Sequence, residues 1–353
     1  MSSISSLPYP YLLFLGDLRE TVYAKTAFGL RDWAAQRCIG EFRLPECTVT
    51  TGLPALSPGE AQLRGARALV IGVANHGGVI SPAWIPALLD ALQSGLDLVA
   101  GMHVRLSENE HLAAAAARLG RRLFDVREPP RNIPIANGRK RGGMRLLTVG
   151  TDCALGKKYT ALALTRAFEE RGVAADFRAT GQTGIMIAGS GIPIDAVVCD
   201  FVAGAAEMLT PHAASNHWDV VEGQGSIFHP SYAGVSLGLL HGTQPDVIVL
   251  CHASDREHML GLKDYPVPGL PEAIDLHLRL ARRTNPRVRC AGISLNTAGL
   301  GEAAARAKLA ECSEALRLPV ADPMRRGPEF ERLVGECLHG TAFSARSLDP
   351  KQS

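Results

Sequence analysis

The chain has 353 residues, which is longer than one ordinary domain, so we expect two domains with separate cores. The 37 Lys and Arg residues against 35 Asp and Glu leave a formal net charge of +2, which argues against binding to nucleic acid or to a membrane surface through bulk charge. Hydrophobic residues make up 46% of the chain and aromatic residues 5%, a composition that is typical of helices packed on parallel sheets and excludes wholesale disorder.

Cysteine spacing and hydropathy further limit the class of protein that this chain can be. The eight cysteines are scattered without a Cys-x-x-Cys pair, so neither a disulfide framework nor a structural zinc site is expected. No apolar run approaches the ~18 residues of a membrane span. The apolar run at residues 11–15 is short and follows no basic segment, so we interpret it as a strand. These patterns predict a cytoplasmic protein with neither a membrane nor a nucleic acid as its partner.

Residues 1–127 alternate strand-like and helix-like segments and are predicted to form a Rossmann-like domain. Short apolar runs typical of buried parallel strands lie at residues 11–15, 68–73 and 96–100. The sequence Ser107-Glu-Asn-Glu110 has the pattern of a capping box and predicts the start of a helix that Gly120 ends. Because no Gly-x-Gly-x-x-Gly follows these strands, nothing in this domain requires a dinucleotide.

Residues 128–143 are rich in Pro, Gly and basic side chains, which is typical of a linker. A second α/β domain is predicted over residues 144–353, beginning with a strand at 145–149 and a helix from about 157 to 171. Further strands are predicted at residues 174–178, 196–202, 218–221, 247–251 and 289–295, and further helices near 271–283, near 301–316 and after 328.

The most specific motif follows the strand at 145–149. A Gly-bounded loop leads into a Gly-Lys pair that opens a helix, which is the context of a phosphate-binding loop; the alternative is an ordinary strand-to-helix turn. Backbone N–H groups at the helix start and the Lys157 ammonium could hold a pyrophosphate. The cofactor-binding residues predicted here are Gly150, Thr151, Asp152, Cys153, Ala154, Leu155, Gly156, Lys157, Lys158 and Tyr159.

This loop departs from the usual G-x-x-x-x-G-K-[ST] pattern in two places. Thr151 stands at the first glycine position, with Gly150 one residue earlier. Lys158 replaces the hydroxyl residue that normally binds magnesium. A second cation there favours a pyrophosphate bound with little or no metal, so no metal site is predicted. The hydroxyl of Thr160 lies close by in the sequence, so an NTPase function stays an alternative.

A second cluster, Val221-Glu222-Gly-Gln224-Gly225-Ser226-Ile-Phe-His229-Pro230, follows the predicted strand at 218–221. Open α/β sheets build their active sites at the carboxyl ends of strands. Glu222 or His229 could therefore serve as a general base, and loop N–H groups could face a developing oxyanion. Gln224 and Ser226 are predicted to bind substrate. The alternative is a tight turn with a packed histidine.

A third cluster, Arg178-Ala-Thr180-Gly-Gln182-Thr183-Gly184, begins at a strand end. Arg178 could bind a carboxylate through two hydrogen bonds, with Gln182 and Thr183 beside it in the substrate site. Asp200 is a catalytic candidate, as is Glu207, and either could equally be a hydrogen-bonded loop acid. Asn296, after the strand at 289–295, could contact an adenine ring of the cofactor.

These motifs resemble two groups of proteins. Gly150-Thr-Asp-x-x-x-Gly-Lys157 together with Val221-Glu222-Gly-x-Gly225 is similar to dethiobiotin synthetase and its dimeric P-loop relatives. Over residues 10–340 the chain more closely resembles a bacterial and archaeal family with Rossmann-like and P-loop domains, whose members include D-glutamate N-acetyltransferases. Signatures of that family stand here at residues 150–157, 178–184, 200–207 and 222–230.

The closer resemblance implies an α/β fold, in which a Rossmann-like N-terminal domain precedes a P-loop NTPase-like parallel-sheet domain. It also implies acetyl transfer from acetyl-CoA to the amine of D-glutamate, an acidic amino acid. Coenzyme A carries a pyrophosphate but needs no metal, which suits Lys158. Its P-loop relatives favour a homo-oligomer, with a dimer expected.

Two other functions stay open at this point. The first is an ATP- and magnesium-dependent ligase or kinase of the dethiobiotin synthetase type, in which Asp152 and Glu222 assist the metal. The second is a nucleotide-sensing module without turnover. Magnesium dependence separates the first from a transferase, and release of free thiol separates an enzyme from a sensor.

Overall fold

The structure is a computed structural model and describes residues 7–339. These residues form two units: the first contains residues 7–130 and 181–196, and the second contains residues 131–180 and 197–339. This division differs from the predicted one, which placed residues 181–196 in the second domain and treated 128–143 as a linker. Both differences follow from local hydrogen bonds and burial, as described below.

The elements alternate between strands and helices through most of the described chain. The strands are β1 (Tyr11–Gly16), β2 (Cys38–Arg43), β3 (Ala68–Ile71), β4 (Asp97–Ala100), β5 (Leu123–Asp125), β6 (Met144–Gly150), β7 (Ala175–Arg178), β8 (Trp218–Val221), β9 (Val247–Ala253), β10 (His258–Met259), β11 (Leu262–Pro266), β12 (Arg289–Asn296) and β13 (Val320–Ala321). The helices are α1 (Lys25–Trp33), α2 (Pro58–Leu63), α3 (Ile85–Gln93), α4 (Glu110–Leu119), α5 (Lys157–Glu169), α6 (Gln182–Ala188), α7 (Val202–Leu209), α8 (Ala233–Thr243), α9 (Leu270–Ala281), α10 (Glu302–Leu316) and α11 (Pro328–Leu338). Among residues 7–339, no helix has both the length and the apolar character needed to cross a bilayer.

The first unit contains a five-stranded parallel sheet in the order β2-β1-β3-β4-β5. All six residues of β1 are buried, because this central strand has neighbours on both sides and helices on its faces. The three predicted strands of this unit are confirmed as β1, β3 and β4. Strand β2 has no apolar run, since Glu41 interrupts it; that carboxylate is buried and accepts hydrogen bonds from the N–H and Oγ1 of Thr51.

The predicted capping box at the start of α4 is wrong. Asn109 is the N-cap, and its Oδ1 accepts a hydrogen bond from the N–H of Leu112 at 3.1 Å. Ser107 instead donates its Oγ proton to Asp125 at 2.7 Å, which ties the preceding turn to β5. The helix does end at Gly120, whose φ of +63° is in the left-handed region that glycine adopts without strain.

Helix α6 belongs to the first unit because its apolar side chains are buried there. The hydroxyl of Tyr11 on β1 donates to the carbonyl of Met186 at 3.4 Å, and the Oγ1 atoms of Thr26 and Thr183 lie 3.2 Å apart. Ile185 and Ile187 are buried beside Met186. A sequence pattern does not reveal this assignment, because a short apolar helix carries no information about which core receives it.

The second unit contains a six-stranded sheet in the order β13-β12-β9-β6-β8-β7, with every pair parallel. The chain builds β7 and β8 on one side of β6 and then crosses to β9 on the other side. The carboxyl end of β6 is therefore at a topological switch point, where open α/β sheets bind ligands. Strands predicted in this unit are confirmed except at residues 196–202.

Residues 196–202 form no strand in this structure. Short 3-10 helices at Ile194–Ala196 and Cys199–Phe201 lead into α7, whose buried residues recur at helical spacing. A short apolar run fits a buried strand and a buried helix equally well, and here Gly238 and Gly242 of α8 allow the α7 backbone to approach closely.

Much of the predicted linker is part of the second unit. Arg141 donates to the carbonyl oxygens of Thr210 and Gly242 at 2.7 and 2.8 Å. Glu207 accepts from the N–H groups of Asn137 and Gly138 at 3.1 and 3.0 Å. Glu207 is therefore a hydrogen-bonded acid that fixes this segment, which was one of its two predicted roles.

Stability at acidic pH should depend on His277, which is 2% exposed on α9 and donates from Nδ1 to the carbonyl of Ala273 at 2.7 Å. Burial lowers the pKa of His277 to about 4. In the unfolded chain the His277 imidazole becomes protonated near pH 6.5, whereas in the folded chain it stays neutral down to about pH 4. The free energy of unfolding therefore falls as the pH drops from about 6.5 to about 4. We expect His277→Leu to remove up to about 3 kcal/mol of this pH-dependent loss, measured by urea unfolding at pH 7 and 4.5.

The exposed His258 supplies the matched control for that measurement. His258→Leu should leave the pH dependence of the unfolding free energy as in the parent protein. An equal pH dependence in the parent and in His277→Leu would contradict the assignment of a neutral buried imidazole.

Candidate active site at the phosphate-binding loop

The phosphate-binding loop joins β6, a central strand of the second sheet, to helix α5. Gly156 has a φ of +101°, a conformation that lets the chain turn directly into the helix at Lys157. The Lys157 side chain is 6% exposed, and its Nζ donates to the carbonyl oxygen of Asp152 at 2.7 Å. The lysine thus folds back across its own loop, with Gly150 leaving room for it.

Asp152 is fully buried and is bound by groups that follow β9. Its Oδ2 accepts hydrogen bonds from Nη1 of Arg256 at 2.6 Å and from the N–H of Leu260 at 2.8 Å. Its Oδ1 is also buried, and no hydrogen-bond partner reaches it within residues 7–339. The guanidinium compensates the charge of the carboxylate, while one acceptor oxygen is left for a donor that the described chain does not supply.

The other loop residues attach the loop to β9 or face outward. Oγ1 of Thr151 lies 2.9 Å from Nδ1 of His252, and Leu155 is buried against β9. Ala154 is exposed, and Nζ of Lys158 lies 4.8 Å from the centre of the Tyr159 ring. The loop is therefore held on one side by β9 and presents Lys158 at its part-exposed edge.

Glu222 reaches the loop because the chain after β8 packs tightly on β6. Its side chain is 4% exposed, and its Oε2 accepts from the N–H of Thr180 at 3.0 Å. The next residue, Gly223, donates its N–H to Oγ1 of Thr148 at 2.9 Å. A Cβ atom at Gly223 would lie 1.7 Å from the carbonyl oxygen of Thr148 and 3.1 Å from Cδ of Lys157, so only glycine fits.

Four charged groups thus form a buried or part-buried set, which we call the charged cluster: Asp152, Lys157, Glu222 and Arg256. Burial lowers the pKa of the Lys157 ammonium, while neighbouring groups that include Asp152 and Glu222 oppose that change. The two cations and two carboxylates of the charged cluster cancel in formal charge. That balance limits the net charge of any ligand that the loop can bind favourably.

His229 and Cys153 lie beside Asp152. A carboxylate oxygen, a thiol sulfur and an imidazole nitrogen from these three residues all lie within 4.8 Å of one another. Nδ1 of the buried His229 ring accepts a hydrogen bond from the N–H of Ser231 at 3.1 Å, so the neutral ring carries its proton on Nε2. Burial raises the pKa of the Cys153 thiol. In this arrangement Nε2–H is the hydrogen-bond donor that the neutral ring offers.

Among residues 7–339, two side-chain groups have the donor types and spacing of a metal site: Asp152 with Cys153 and His229, and Asp176 with His217 and Asp219. Each group already holds a guanidinium, because Arg256 lies 2.6 Å from Asp152 and Arg178 lies 2.6 Å from Asp219. A bound cation would have to displace these arginines or tolerate their charge. Neither donor set fits a metal well, and the absence of a metal stays a prediction.

Arg178 differs from the expectation of a substrate clamp. Its Nε donates to Asp219 at 2.6 Å and its Nη2 to Asp176 at 2.9 Å. Asp176 pairs with Asp219 in the register of β7 and β8, so the guanidinium points back along the sheet face, away from the carboxyl ends of these strands. These two bonds occupy donors that a substrate carboxylate would need.

The remaining predicted site residues belong to both units. Gln224 donates from Nε2 to Oγ1 of Thr180 at 3.0 Å, while the buried Ser226 accepts from the N–H of Phe228 in a turn. The structure places Gln182 and Thr183 in the first unit and Asp200 in the exposed 3-10 helix Cys199–Phe201. Asn296 ends β12, and its Oδ1 accepts a hydrogen bond from the N–H of Ala298 at 3.0 Å.

Three residues that contact the site were not predicted. Thr180 donates hydrogen bonds to both the side chain and the carbonyl of Glu222, and it lies inside the predicted cluster at residues 178–184. Arg256 and Leu260 bind Asp152 from a segment with no recognisable pattern. Thr180 could have been found from its motif, whereas the other two depend on how the chain folds after β9.

The fold and the site together define a P-loop α/β protein with an additional Rossmann-like domain. Residues 134–334 match the P-loop domain of DUF1611, described as a domain of unknown function, and residues 43–129 match the Rossmann-like domain DUF1611_N. The chain belongs to the DUF1611 family. This assignment confirms the predicted fold class and the closer of the two predicted resemblances.

Named relatives and a solved structure cover most of the chain. A D-glutamate N-acetyltransferase from Tritonibacter scottomollicae is 51% identical over 318 residues, which is 90% of this chain and 96% of the relative. A second protein of that name, from a Pseudoalteromonas species, is 45% identical over 318 residues, which again is 90% of this chain and 96% of the relative. The crystal structure of a DUF1611 family protein from Anabaena variabilis superposes on this structure with a TM-score of 0.80 and is 34% identical in sequence. The match covers 92% of this chain and 98% of the Anabaena chain.

The close packing at Gly223 gives a stability prediction. Gly223→Ala should destabilise the protein by more than about 2 kcal/mol, because the new methyl group meets a backbone carbonyl that cannot move without shifting β6. Urea unfolding measures the change. Gly234→Ala on α8 is the matched control: nothing lies within 4 Å of its Cβ position, and alanine should stabilise that helix by up to about 1 kcal/mol. Equal effects at both positions would contradict the packing described here.

Proposed function

We propose that this protein transfers the acetyl group of acetyl-CoA to the amino group of D-glutamate. The observation that carries this proposal is the match over 90% of the chain to two relatives named D-glutamate N-acetyltransferase, at 51% and 45% identity. The reaction needs a base for the ammonium group, a donor for the thioester oxygen, and a site for an anionic substrate. Side chains around the loop are candidates for all three tasks.

Glu222 is the candidate base. Only the free amine attacks a thioester, so the substrate ammonium must lose a proton before the N–C bond forms. The Glu222 carboxylate lies at the carboxyl end of β8, where its Oε2 accepts a hydrogen bond from the N–H of Thr180 and Lys157 is a neighbouring cation. A second proton leaves as the amide forms; the coenzyme A thiolate takes up one proton and the other passes to solvent.

His229 is the candidate donor to the thioester carbonyl. Its Nδ1 is occupied by the N–H of Ser231, so Nε2–H is the group that a developing oxyanion could use. The interpretation of His229 as a base is less favoured, because protonation at Nδ1 would break that hydrogen bond. Acetyl-CoA is the co-substrate in this proposal, and no metal takes part.

The alternative, an ATP-dependent ligase or kinase, needs magnesium near the loop. In that reaction Asp152 would assist the metal, yet its Oδ2 is 2.6 Å from the Arg256 guanidinium. The hydroxyl position after the loop lysine is Lys158, which repels a cation. Both features favour the transferase.

A thiol-release assay tests the proposed function directly. Acetyl-CoA is incubated with the protein and a panel of D- and L-amino acids, and free coenzyme A is measured with a thiol reagent. We expect release with D-glutamate that greatly exceeds release with neutral amino acids or with none. No release with any acidic amino acid would refute the acetyltransferase.

Replacing the proposed base should separate chemistry from binding. Glu222→Gln keeps the shape and a hydrogen-bond acceptor for Thr180 but cannot take up the proton, so kcat should fall by roughly two to four orders of magnitude. Calorimetry should show that desulfo-coenzyme A binds as it does to the parent protein. If kcat is retained, the base lies elsewhere, and His229→Gln becomes the informative variant.

Metal removal should leave the reaction intact. Because Arg256 and Lys157 supply the cationic groups of the loop, we expect full thiol release in excess EDTA, with the EDTA-free reaction as the control. Loss of activity that magnesium restores would support the ATP-dependent alternative. Loss that zinc restores would identify Asp152, Cys153 and His229 as ligands and contradict the metal-free mechanism.

A further inference from the structure

We propose that the phosphate-binding loop of this protein holds a carboxylate of the amino-acid substrate, with the substrate ammonium between Asp152 and Glu222, instead of the pyrophosphate of coenzyme A. This inference rests on the proposed acetyltransferase function and specifies which of the two substrates occupies the loop. It replaces the assignment that the motif alone suggests, and three observations support it.

The first observation is the charge of the site. Asp152 is 0% exposed, Glu222 4% and Lys157 6%, so three members of the charged cluster are removed from water. With Arg256 they sum to zero formal charge. A pyrophosphate would add at least two negative charges next to two buried carboxylates, and the further loop cation, Lys158, lies at the part-exposed edge, where water screens its charge. A zwitterionic head group instead offers a carboxylate to Lys157 and an ammonium to the acids.

The second observation is the unpartnered acceptor of Asp152. Its Oδ1 is buried, and no donor reaches it from the described part of the chain. A buried carboxylate oxygen without a hydrogen bond is destabilising, so a ligand that supplies a donor is favoured here. An ammonium group has three N–H donors, whereas a pyrophosphate is an acceptor only. The loop therefore offers donors and acceptors side by side, as recognition of an amino acid requires.

The third observation is the position of the reactive groups. Glu222 is beside Lys157, and His229 and Cys153 are beside Asp152. In coenzyme A, the pyrophosphate and the thioester lie at opposite ends of the pantetheine arm. A pyrophosphate in the loop would leave the candidate base and donor far from the acetyl group. A substrate carboxylate in the loop places the amine a few bonds away, within reach of Glu222.

The loop itself suits a carboxylate. The N–H groups at the start of α5, a helix of 13 residues, and the Lys157 ammonium provide the donors that a singly charged anion needs. Acetyl-CoA then approaches with its thioester end, and the His229 Nε2–H meets the carbonyl oxygen.

Calorimetry on two variants tests this placement. Lys157→Met should weaken D-glutamate binding by roughly ten- to hundredfold and change the Kd of desulfo-coenzyme A by less than about twofold. D-glutamate is titrated with and without saturating desulfo-coenzyme A, so that ordered binding does not hide the effect. Asp152→Asn should weaken the binding of D-glutamate. It should leave the binding of glutarate unchanged, because glutarate has both carboxylates and no ammonium. Lys308→Met, which removes a part-exposed lysine of α10, is the control and should change neither affinity.

Inhibition of the parent protein provides a test that needs no variant. Glutarate should inhibit thiol release competitively with D-glutamate. Inorganic pyrophosphate should compete with D-glutamate for the loop or fail to inhibit. Competition between pyrophosphate and acetyl-CoA, or a selective loss of desulfo-coenzyme A binding in Lys157→Met, would overturn the proposal. Those results with thiol release intact would refute only this placement, whereas an absence of thiol release would refute the proposed function.

Discussion

The site depends on one close approach, in which the backbone of Gly223 lies against the carbonyl of Thr148 on β6. Because no side chain separates the two segments, Glu222 is brought beside the lysine of the phosphate-binding loop, and Thr180, just after β7, fixes its carboxylate. The parallel order of β7, β8 and β6 makes this possible, since the carboxyl ends of all three strands meet at one edge. The same packing that stabilises the sheet therefore determines the charge of the loop.

The consequence is a P-loop with an unusual electrostatic balance. A lysine in such a loop ordinarily faces a bound phosphate, but here Lys157 is bonded to the carbonyl of Asp152 and is accompanied by two carboxylates. The guanidinium of Arg256 offsets the negative charge of the Asp152 carboxylate. Each group is stabilised by its neighbours, and removal of any one leaves a buried charge without compensation. Such a site favours a ligand with both signs of charge, which is the connection between the fold and the proposed acetylation of an amino acid.

Local sequence patterns were sufficient for the fold class and for the phosphate-binding loop. A strand, a Gly-bounded turn and a Gly-Lys pair are contiguous, so their pattern predicts the structure around Lys157 without knowledge of the rest of the chain. The partners of the loop are not contiguous with it. Arg256 reaches Asp152 from beyond β9, and Arg178 is paired to Asp219 by strand register, which no spacing rule reveals. The apolar residues near 196–202 and in α6 were likewise ambiguous, because burial depends on the neighbouring element that accepts them.

The most direct test of this account is a double-mutant cycle between Lys157 and Glu222. Lys157→Met, Glu222→Gln and the double variant are compared with the parent protein by urea unfolding. We expect the double variant to be more stable than the sum of the single changes implies, with a coupling of about 1 kcal/mol or more, because the second change removes the charge that the first one left uncompensated. Effects that add within about 0.5 kcal/mol would show that the two charges do not interact and would contradict the central claim.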